Sequence, residues 1–450
     1  MPRVAYSHIY TYLYKSKSLL QGFAFLFYFG YICIKLIIKS MKRSILLLSL
    51  FTLFCSTCSN SPEGTQQPSN SSATPTVGKT LPAWSDGELD IHFINTARGE
   101  CCFYILPDGT TLLVDAGEIA SSDENIPQRP NDLTRPYVTY ANYISHFMPA
   151  QKSAIDYCSP SHFHIDHIGG EDVVTESAAA GYRKAGLLAL YDRVPYNHIL
   201  DRAYPTYTED DKTPAIEGQL AEDWATFVKW GVSEGRFTAE RFTPGKEQIV
   251  LLNNAAKYEN FSVFNICANG FVWGKDSEGN ETLLGSKPKG SGNPCSCGFH
   301  ITYGKFDYIA CGDLTSSPQN LMALYFRDFI GNGNLEAFKC HHHLASNSWG
   351  SNMLNTNFDP QVAVGHCFAS TKPHPEKLAE ILPKVTDFFA TNIYHQTLND
   401  NKELIDKIGG YDGHIVLRVA PGGESFMVYI LNDTNFNFYI KSIHGPYKSK

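Results

Sequence analysis

Three imidazoles and a carboxylate fall within six residues, His162-Phe163-His164-Ile165-Asp166-His167, and this stretch constrains the chain more than any other. The preceding run, Ile155-Asp156-Tyr157-Cys158-Ser159, reads as a strand opening into a loop. In extended backbone His162 and His164 lie two residues apart, so both rings project to one side. Asp166 and His167 follow as the chain turns, and Gly169-Gly170 allow it to swing into a helix. The histidine pair suits a first metal ion, and Asp166 with His167 a second. Imidazole and carboxylate donors fit zinc, manganese or iron, with no thiolate to narrow the choice. The bland alternative is a polar loop that binds nothing, but ligand types at i, i+2, i+4 and i+5 argue against it.

Other segments carry the same residue types to strand ends. Asp313 closes Tyr308-Ile309-Ala310-Cys311-Gly312, where a buried carboxylate is costly unless something positive meets it. It reads either as a ligand bridging two cations or as a helix cap before Thr315-Ser316-Ser317. Phe338-Lys339-Cys340 runs into His341-His342-His343, one of which would complete the second ion's shell. Spacing does not choose between His341 and His342, and it places His343 last. Asp115 ends the strand Thr111 to Val114 and reads as a residue that orients a ligating histidine, or as a turn aspartate. His374, in Thr371-Lys372-Pro373-His374-Pro375, is either a proton donor to a leaving group, a substrate contact, or an exposed loop histidine.

Composition bounds the partners. The 450 residues are 43% hydrophobic and 18% charged, enough for a sizeable core. A net charge of −8 gives no basic surface for long nucleic acid. Twelve cysteines show no spacing of a disulfide framework, and most read as small buried residues. Cys295 and Cys297 carry a weak alternative as metal ligands.

Residues 1–58 read as a leader rather than as fold. Met41-Lys42-Arg43 precedes the apolar run Ser44 to Phe54, as in a secretory signal. That run ends in Cys55-Ser56-Thr57-Cys58, which resembles a bacterial lipoprotein signal with Cys58 as the acylation site and Cys55 as the alternative. Residues 1–40 hold a second apolar run, Leu19 to Ile38, and read as an over-extended start ahead of Met41. Residues 59–87 follow as a flexible tether, rich in Ser, Pro and Thr up to Lys79.

The remaining pattern alternates strands with helices. Leu89 to Ile94, Cys101 to Leu106 and Thr111 to Val114 read as strands, the last two joined by the turn Pro107-Asp108-Gly109. Thr139 to Phe147 reads as a helix, and residues 171–185 as the helix behind the histidine loop. From about 186 to 259 the pattern loosens into an aromatic-rich insertion, with Tyr191, Tyr196, Tyr204, Tyr207, Trp224, Phe227 and Trp230. Within it, Glu222 to Val232 reads as an amphipathic helix. Strands resume at Phe261 to Ala268, Gly298 to Tyr303, Tyr308 to Cys311, Gln361 to Gly365, Ile415 to Val419 and Phe426 to Leu431. Such interleaving predicts an α+β domain over residues 88–440, two mixed sheets with helices outside.

Taken in order, these motifs resemble the metallo-β-lactamase superfamily, whose H-x-H-x-D-H signature residues 162–167 match without departure. More narrowly they resemble the hydrolase domain of ComEC-like competence proteins. Ala97-Arg98-Gly99-Glu100 is similar to that branch's G-x-G-D, with Ala97 for the first glycine and Glu100 for the aspartate. Leu112-Leu113-Val114-Asp115-Ala116-Gly117, Asn293-Pro294-Cys295-Ser296, His341-His342 and His374-Pro375 resemble its later segments. His343 stands where the branch has glycine. The superfamily's third histidine for the first ion has no match; His300 is the nearest candidate and His198 a weaker one.

The resemblance implies a four-layer αββα sandwich holding two divalent ions, zinc first, with manganese or iron as alternatives. His162 and His164 would hold one ion, Asp166 and His167 the other, with Asp313 between them and His341 or His342 completing the shell. Water activated between the ions would then attack a small or oligomeric phosphodiester, with Asp166 and His374 assisting. A lactone, thioester or β-lactam would suit the same centre. A non-catalytic surface lipoprotein with a degraded centre is the reading from another class. A cation cluster near the site would favour phosphate, whereas the aromatic insertion would suit an acyl group or sugar. The lipid anchor implies an extracytoplasmic, membrane-attached protein, in the periplasm or at the cell surface.

Overall fold

The computed structural model describes residues 74–120, 126–170, 176–330, 335–349, 353 and 358–450. The leader, with Cys55 and Cys58, lies outside the described residues. Strand β1 (Leu89–Phe93), β2 (Cys102–Ile105) and β3 (Thr111–Val114) form a meander, and α1 (Pro136–Phe147) crosses back to β4 (Ile155–Cys158), parallel to β3. The short α2 (Ile165–Ile168) carries the end of the histidine motif. A small hairpin, β5 (Glu176–Ser177) with β6 (Arg183–Lys184), leads to α3 (Gly186–Tyr191), β7 (Tyr196–Asp201), α4 (Gln219–Ser233) and β8 (Thr238–Arg241).

The second sheet takes β9 (Phe261–Ala268), β10 (Phe271–Lys275), β11 (Glu281–Gly285), β12 (Gly298–Tyr303) and β13 (Phe306–Ala310). After α5 (Ser316–Phe329) it adds β14 (Ala337–Lys339) and β15 (Val362–Gly365), then, past α6 (Pro375–Ile381), β16 (Asp387–Ala390) and β17 (Gly410–Tyr411). Strands β18 (His414–Val419), β19 (Ser425–Leu431) and β20 (Ile440–Lys448) return to the first sheet. Each sheet has nine strands, ordered β20-β19-β18-β1-β2-β3-β4-β7-β8 and β11-β10-β9-β12-β13-β14-β15-β16-β17.

Side-chain alternation along the strands sorts the core into three slabs. Leu89, Ile91 and Phe93 of β1 meet Phe299, Ile301 and Tyr303 of β12 between the sheets. Phe103 and Leu113 face the other way, onto Tyr140 and Ile144 of α1 and Trp224 of α4. Phe338 of β14 packs outward with Met322 and Phe326 of α5. The result is helix, sheet, sheet, helix: the αββα sandwich that the motifs implied.

Four expectations change. Residues 176–185 are a hairpin, not part of a helix: Gly181, with φ +93°, turns the chain, and Ala178 N–H bonds the Tyr182 carbonyl at 2.8 Å. The segment from 186 onward is no loose insertion, because β7 and β8 extend the first sheet in parallel register. Its aromatics belong to the outer slab, where Trp224 Nε1 and Tyr207 Oη donate to Asp201 at 2.9 and 2.6 Å. The tether also ends earlier than residue 87. Gly78 N–H donates to Ile440, Ile440 N–H donates to Lys79, and Leu81 is buried. At the other end β20 carries the fold through Lys448. No helix among the described residues is long and apolar enough to cross a membrane.

Candidate metal centre

The turn after β3 lies directly against the histidine motif. A Cβ on Gly117 would stand 1.8 Å from the Asp166 carbonyl oxygen, so only glycine fits. Backbone bonds knit the two segments: Glu100 N–H to Asp166 O at 2.8 Å and Ala116 N–H to His167 O at 2.8 Å. Asp115, at φ +63°, is thereby aimed inward. Its carboxylate accepts from Ser161 N–H and Ser161 Oγ, both at 2.7 Å, and from His167 Nδ1 at 2.8 Å. A proton on Nδ1 leaves the Nε2 lone pair of His167 pointing into the centre.

Opposite, β13 runs out through Gly312 to Asp313. Asp313 Oδ2 lies 3.2 Å from His167 Nε2 and 3.1 Å from His343 Nε2, while Oδ1 is buried without a hydrogen-bond partner. Burial would raise this carboxyl, but the His343 and His167 imidazoles hold it well below the usual range. The cap position of α5 belongs to Thr315 instead. For His167 burial works toward the neutral form, yet the carboxylates of Asp313, Asp115 and Asp166 outweigh it and raise the pKa.

The triple histidine is sorted by its backbone. His342, His343 and Leu344 have φ of +47°, +53° and +60°, three left-handed residues in succession. Strand alternation carries His341 outward, where its ring lies 5.0 Å from that of Phe338 and both ring nitrogens are buried without a hydrogen-bond partner. The turn then throws His343 inward, with Nδ1 donating to the His366 carbonyl at 2.9 Å and Nε2 3.4 Å from Asp166 Oδ2. His342 sits between, with Nε2 3.1 Å from Asn293 Nδ2 and 3.8 Å from Asp313 Oδ2. Spacing put His343 last; geometry puts it in the cluster and leaves His341 outside.

Glu100, His167, Asp313 and His343 each offer one ligand atom within 4.8 Å of all the others. The Nε2 atoms of His162, His167 and His343 are buried without hydrogen bonds, as is Asp313 Oδ1. Each orphan costs about 1–3 kcal/mol, and a cation would satisfy several at once. The donor set therefore fits a divalent ion. The His162 ring is 4.5 Å from that of His164 and 4.2 Å from that of His167. Burial pushes the His162 pKa well below its usual value and lowers that of His164, keeping both neutral for ligation.

The other candidates lie elsewhere. His300 bonds Tyr325 Oη and Asp307, and His198 bonds Thr238 and Glu240. Cys297 is in the slab between the sheets, and Cys295 Sγ donates to the Gly290 carbonyl. His374 N–H donates to the Leu344 carbonyl at 2.7 Å, and its ring Nδ1 is buried without a hydrogen-bond partner. Conversely, Glu100 and its partner Lys339, 2.8 Å away, were not read as site residues. Glu100 carried a signal as the acidic residue of the segment resembling G-x-G-D, whereas Lys339 showed only as an ionisable side chain ending an apolar strand-like run.

Beside His164 and Asp166 opens a groove of about 420 Å³, walled by Ile119, Phe163, Ile165 and Leu220 with Glu217 at its edge. On the other side Lys372 stands 5.3 Å above the Phe368 ring, itself 4.5 Å from the His343 ring.

No protein-family model and no curated protein sequence matches the chain. Among solved structures it is similar to CmlA, a diiron β-hydroxylase from Streptomyces venezuelae, at 12% identity over 76% of this chain and 55% of that one, with TM-score 0.33. It is also similar to a Cronobacter sakazakii metallo-β-lactamase with a HARLDQ motif, at 11% identity over 54% and 68% and TM-score 0.25. A third is the metallo-β-lactamase SMB-1 bound to mercaptoacetic acid, at 12% over 73% and 83% and TM-score 0.26. The chain spans about half the length of the β-hydroxylase.

Proposed function

We propose that this chain is a metal-dependent hydrolase of phosphodiesters. The carrying observation is the buried convergence of Glu100, His167, Asp313 and His343, with both histidine Nε2 atoms and Asp313 Oδ1 left without hydrogen bonds. Asp166, His167, Asp313 and His343 would hold one divalent ion; His162 and His164, with Asp313 between, would hold the other. Bound there, such ions supply Lewis-acid activation of water and neutralise charge on substrate oxygens. The protein's own part is orientation and proton handling. Asp115 and the His366 carbonyl fix the two imidazoles by their Nδ1 atoms. Asp166, with its carboxylate 19% exposed, would take a proton from attacking water.

Lys372 supports an anionic substrate: it forms no ion pair among the described residues and stands at the rim of the cluster. The apolar groove supports a second reading, an ester or lactone whose acyl arm lies along Ile165 and Leu220. Hydrolysis of bis(p-nitrophenyl) phosphate and of p-nitrophenyl butyrate by zinc- or manganese-loaded protein separates them. The phosphodiester reading expects metal-dependent turnover of the first, lost in Asp313→Asn. Turnover of the butyrate alone would transfer the assignment to acyl substrates, and turnover of neither would return the chain to a binding role. Attachment to a membrane through a lipid on Cys58 belongs to the same proposal.

A further inference from the structure

We propose that Glu100 and Lys339 together control His343: the carboxylate holds the imidazole from behind, and the ammonium keeps that carboxylate off the ion. This rests on reading the cluster as a metal centre. Both residues are about 1% exposed and paired at 2.8 Å through Glu100 Oε1. A buried ion pair is seldom a net gain in stability over an apolar pair, so its place beside the cluster calls for another reason. Glu100 Oε2 is 3.3 Å from His343 Nδ1, the nitrogen facing away from Asp313. That nitrogen donates to the His366 carbonyl, and Glu100 Oε2 stands beside it at ion-pair distance without a hydrogen bond of its own, adding negative charge behind the ring.

Each cluster histidine is thus backed by a carboxylate, Asp115 behind His167 and Glu100 behind His343. Such backing fixes the tautomer and raises the ligand's basicity. Glu100 differs in also lying within ligand range of the centre. Lys339 resolves its role. Its Nζ is anchored to the Gly312 carbonyl at 3.2 Å, next to Asp313, and from there occupies Glu100 Oε1. The carboxylate is left one free oxygen, and that oxygen is on the Nδ1 side.

The test is Co²⁺ binding, read by visible absorption for the ligand set and by chelator competition for affinity. The proteins are the wild type, Glu100→Gln, Lys339→Met and the double variant. Glu100→Gln is expected to weaken the ion at His343 by 10–100-fold with band positions unchanged. Lys339→Met is expected to shift the bands as the released carboxylate joins the ion. The double variant removes both charges together, so it folds even where the unpaired Glu100 of Lys339→Met does not, and it should match Glu100→Gln. Unchanged affinity in Glu100→Gln, or a band shift in that variant, overturns the proposal; the shift would make Glu100 a ligand itself. Wild-type protein that binds no Co²⁺ overturns the metal-centre reading along with it.

Discussion

At the scale of single residues, the centre depends on which nitrogen of each imidazole carries its proton. Asp115→Asn removes the charge that holds the proton on His167 Nδ1, while a similar shape still fits Ser161. Metal affinity should fall about 10–100-fold, checked by chelator competition, with circular dichroism unchanged. Asp313→Asn should remove metal and activity together while the secondary structure stays; unchanged metal content would demote Asp313 to a scaffold residue. Away from the centre, His414 Nδ1 accepts the Asn95 N–H at 3.0 Å, and burial lowers its pKa to about 4. Its folded pKa lies below the unfolded value near 6.5, so its stabilisation is present above pH 6.5 and lost as pH falls toward 4. The loss is about 3 kcal/mol. Urea unfolding at pH 7 and pH 4 should show it, with a flatter acid limb in His414→Asn. The short fixed spacing in 162–167 pointed to His167, which the fold brings into the cluster with Glu100, Asp313 and His343. The choice at 341–343 was not readable, because it depends on three left-handed φ angles that nothing in three histidines announces.

At the scale of elements, the site is where turns from the two sheets meet, and close approach matters more than propensity. Gly117→Ala would drive a Cβ into the Asp166 carbonyl, where the backbone has no room to yield. It should destabilise the fold by about 3 kcal/mol and loosen the metal, visible as a fall in both melting temperature and bound zinc. If melting falls and zinc stays, the turn supports the fold without positioning the ligands. Strands with clear alternation and a Pro-Asp-Gly turn could be placed from sequence almost to the residue. Strands β7 and β8 could not: they are parallel and flanked by polar residues, so neither shows a clean period of two. The stretch Ser177-Ala178-Ala179-Ala180 favours helix by composition, but Gly181 and the Arg183–Asp223 pair, at 2.7 Å, hold it as a hairpin.

At the scale of the whole molecule, the proposed lipid attachment at Cys58 can be tested apart from the chemistry. Cys58→Ser should move the protein from the membrane fraction to the soluble one; release by Cys55→Ser alone would relocate the acylation site. The folded part raises a separate matter. All nine cysteines among the described residues are buried and unpaired. The sulfurs of Cys267 and Cys311 both pack over Gly298, 2.6 and 2.5 Å from where its Cβ would stand. They belong to β9 and the end of β13 with β12 between, a separation of roughly 9–10 Å between backbones that a disulfide does not span. Burial raises the thiol pKa of most of the others, which keeps them unreactive; Cys311 is the exception, lowered to about 6 beside Cys267, and only its complete burial shields it. The sandwich therefore needs neither an oxidant to mature nor a reductant to survive. Dithiothreitol should leave its melting curve where it was, since no disulfide among the described residues is there for it to cut.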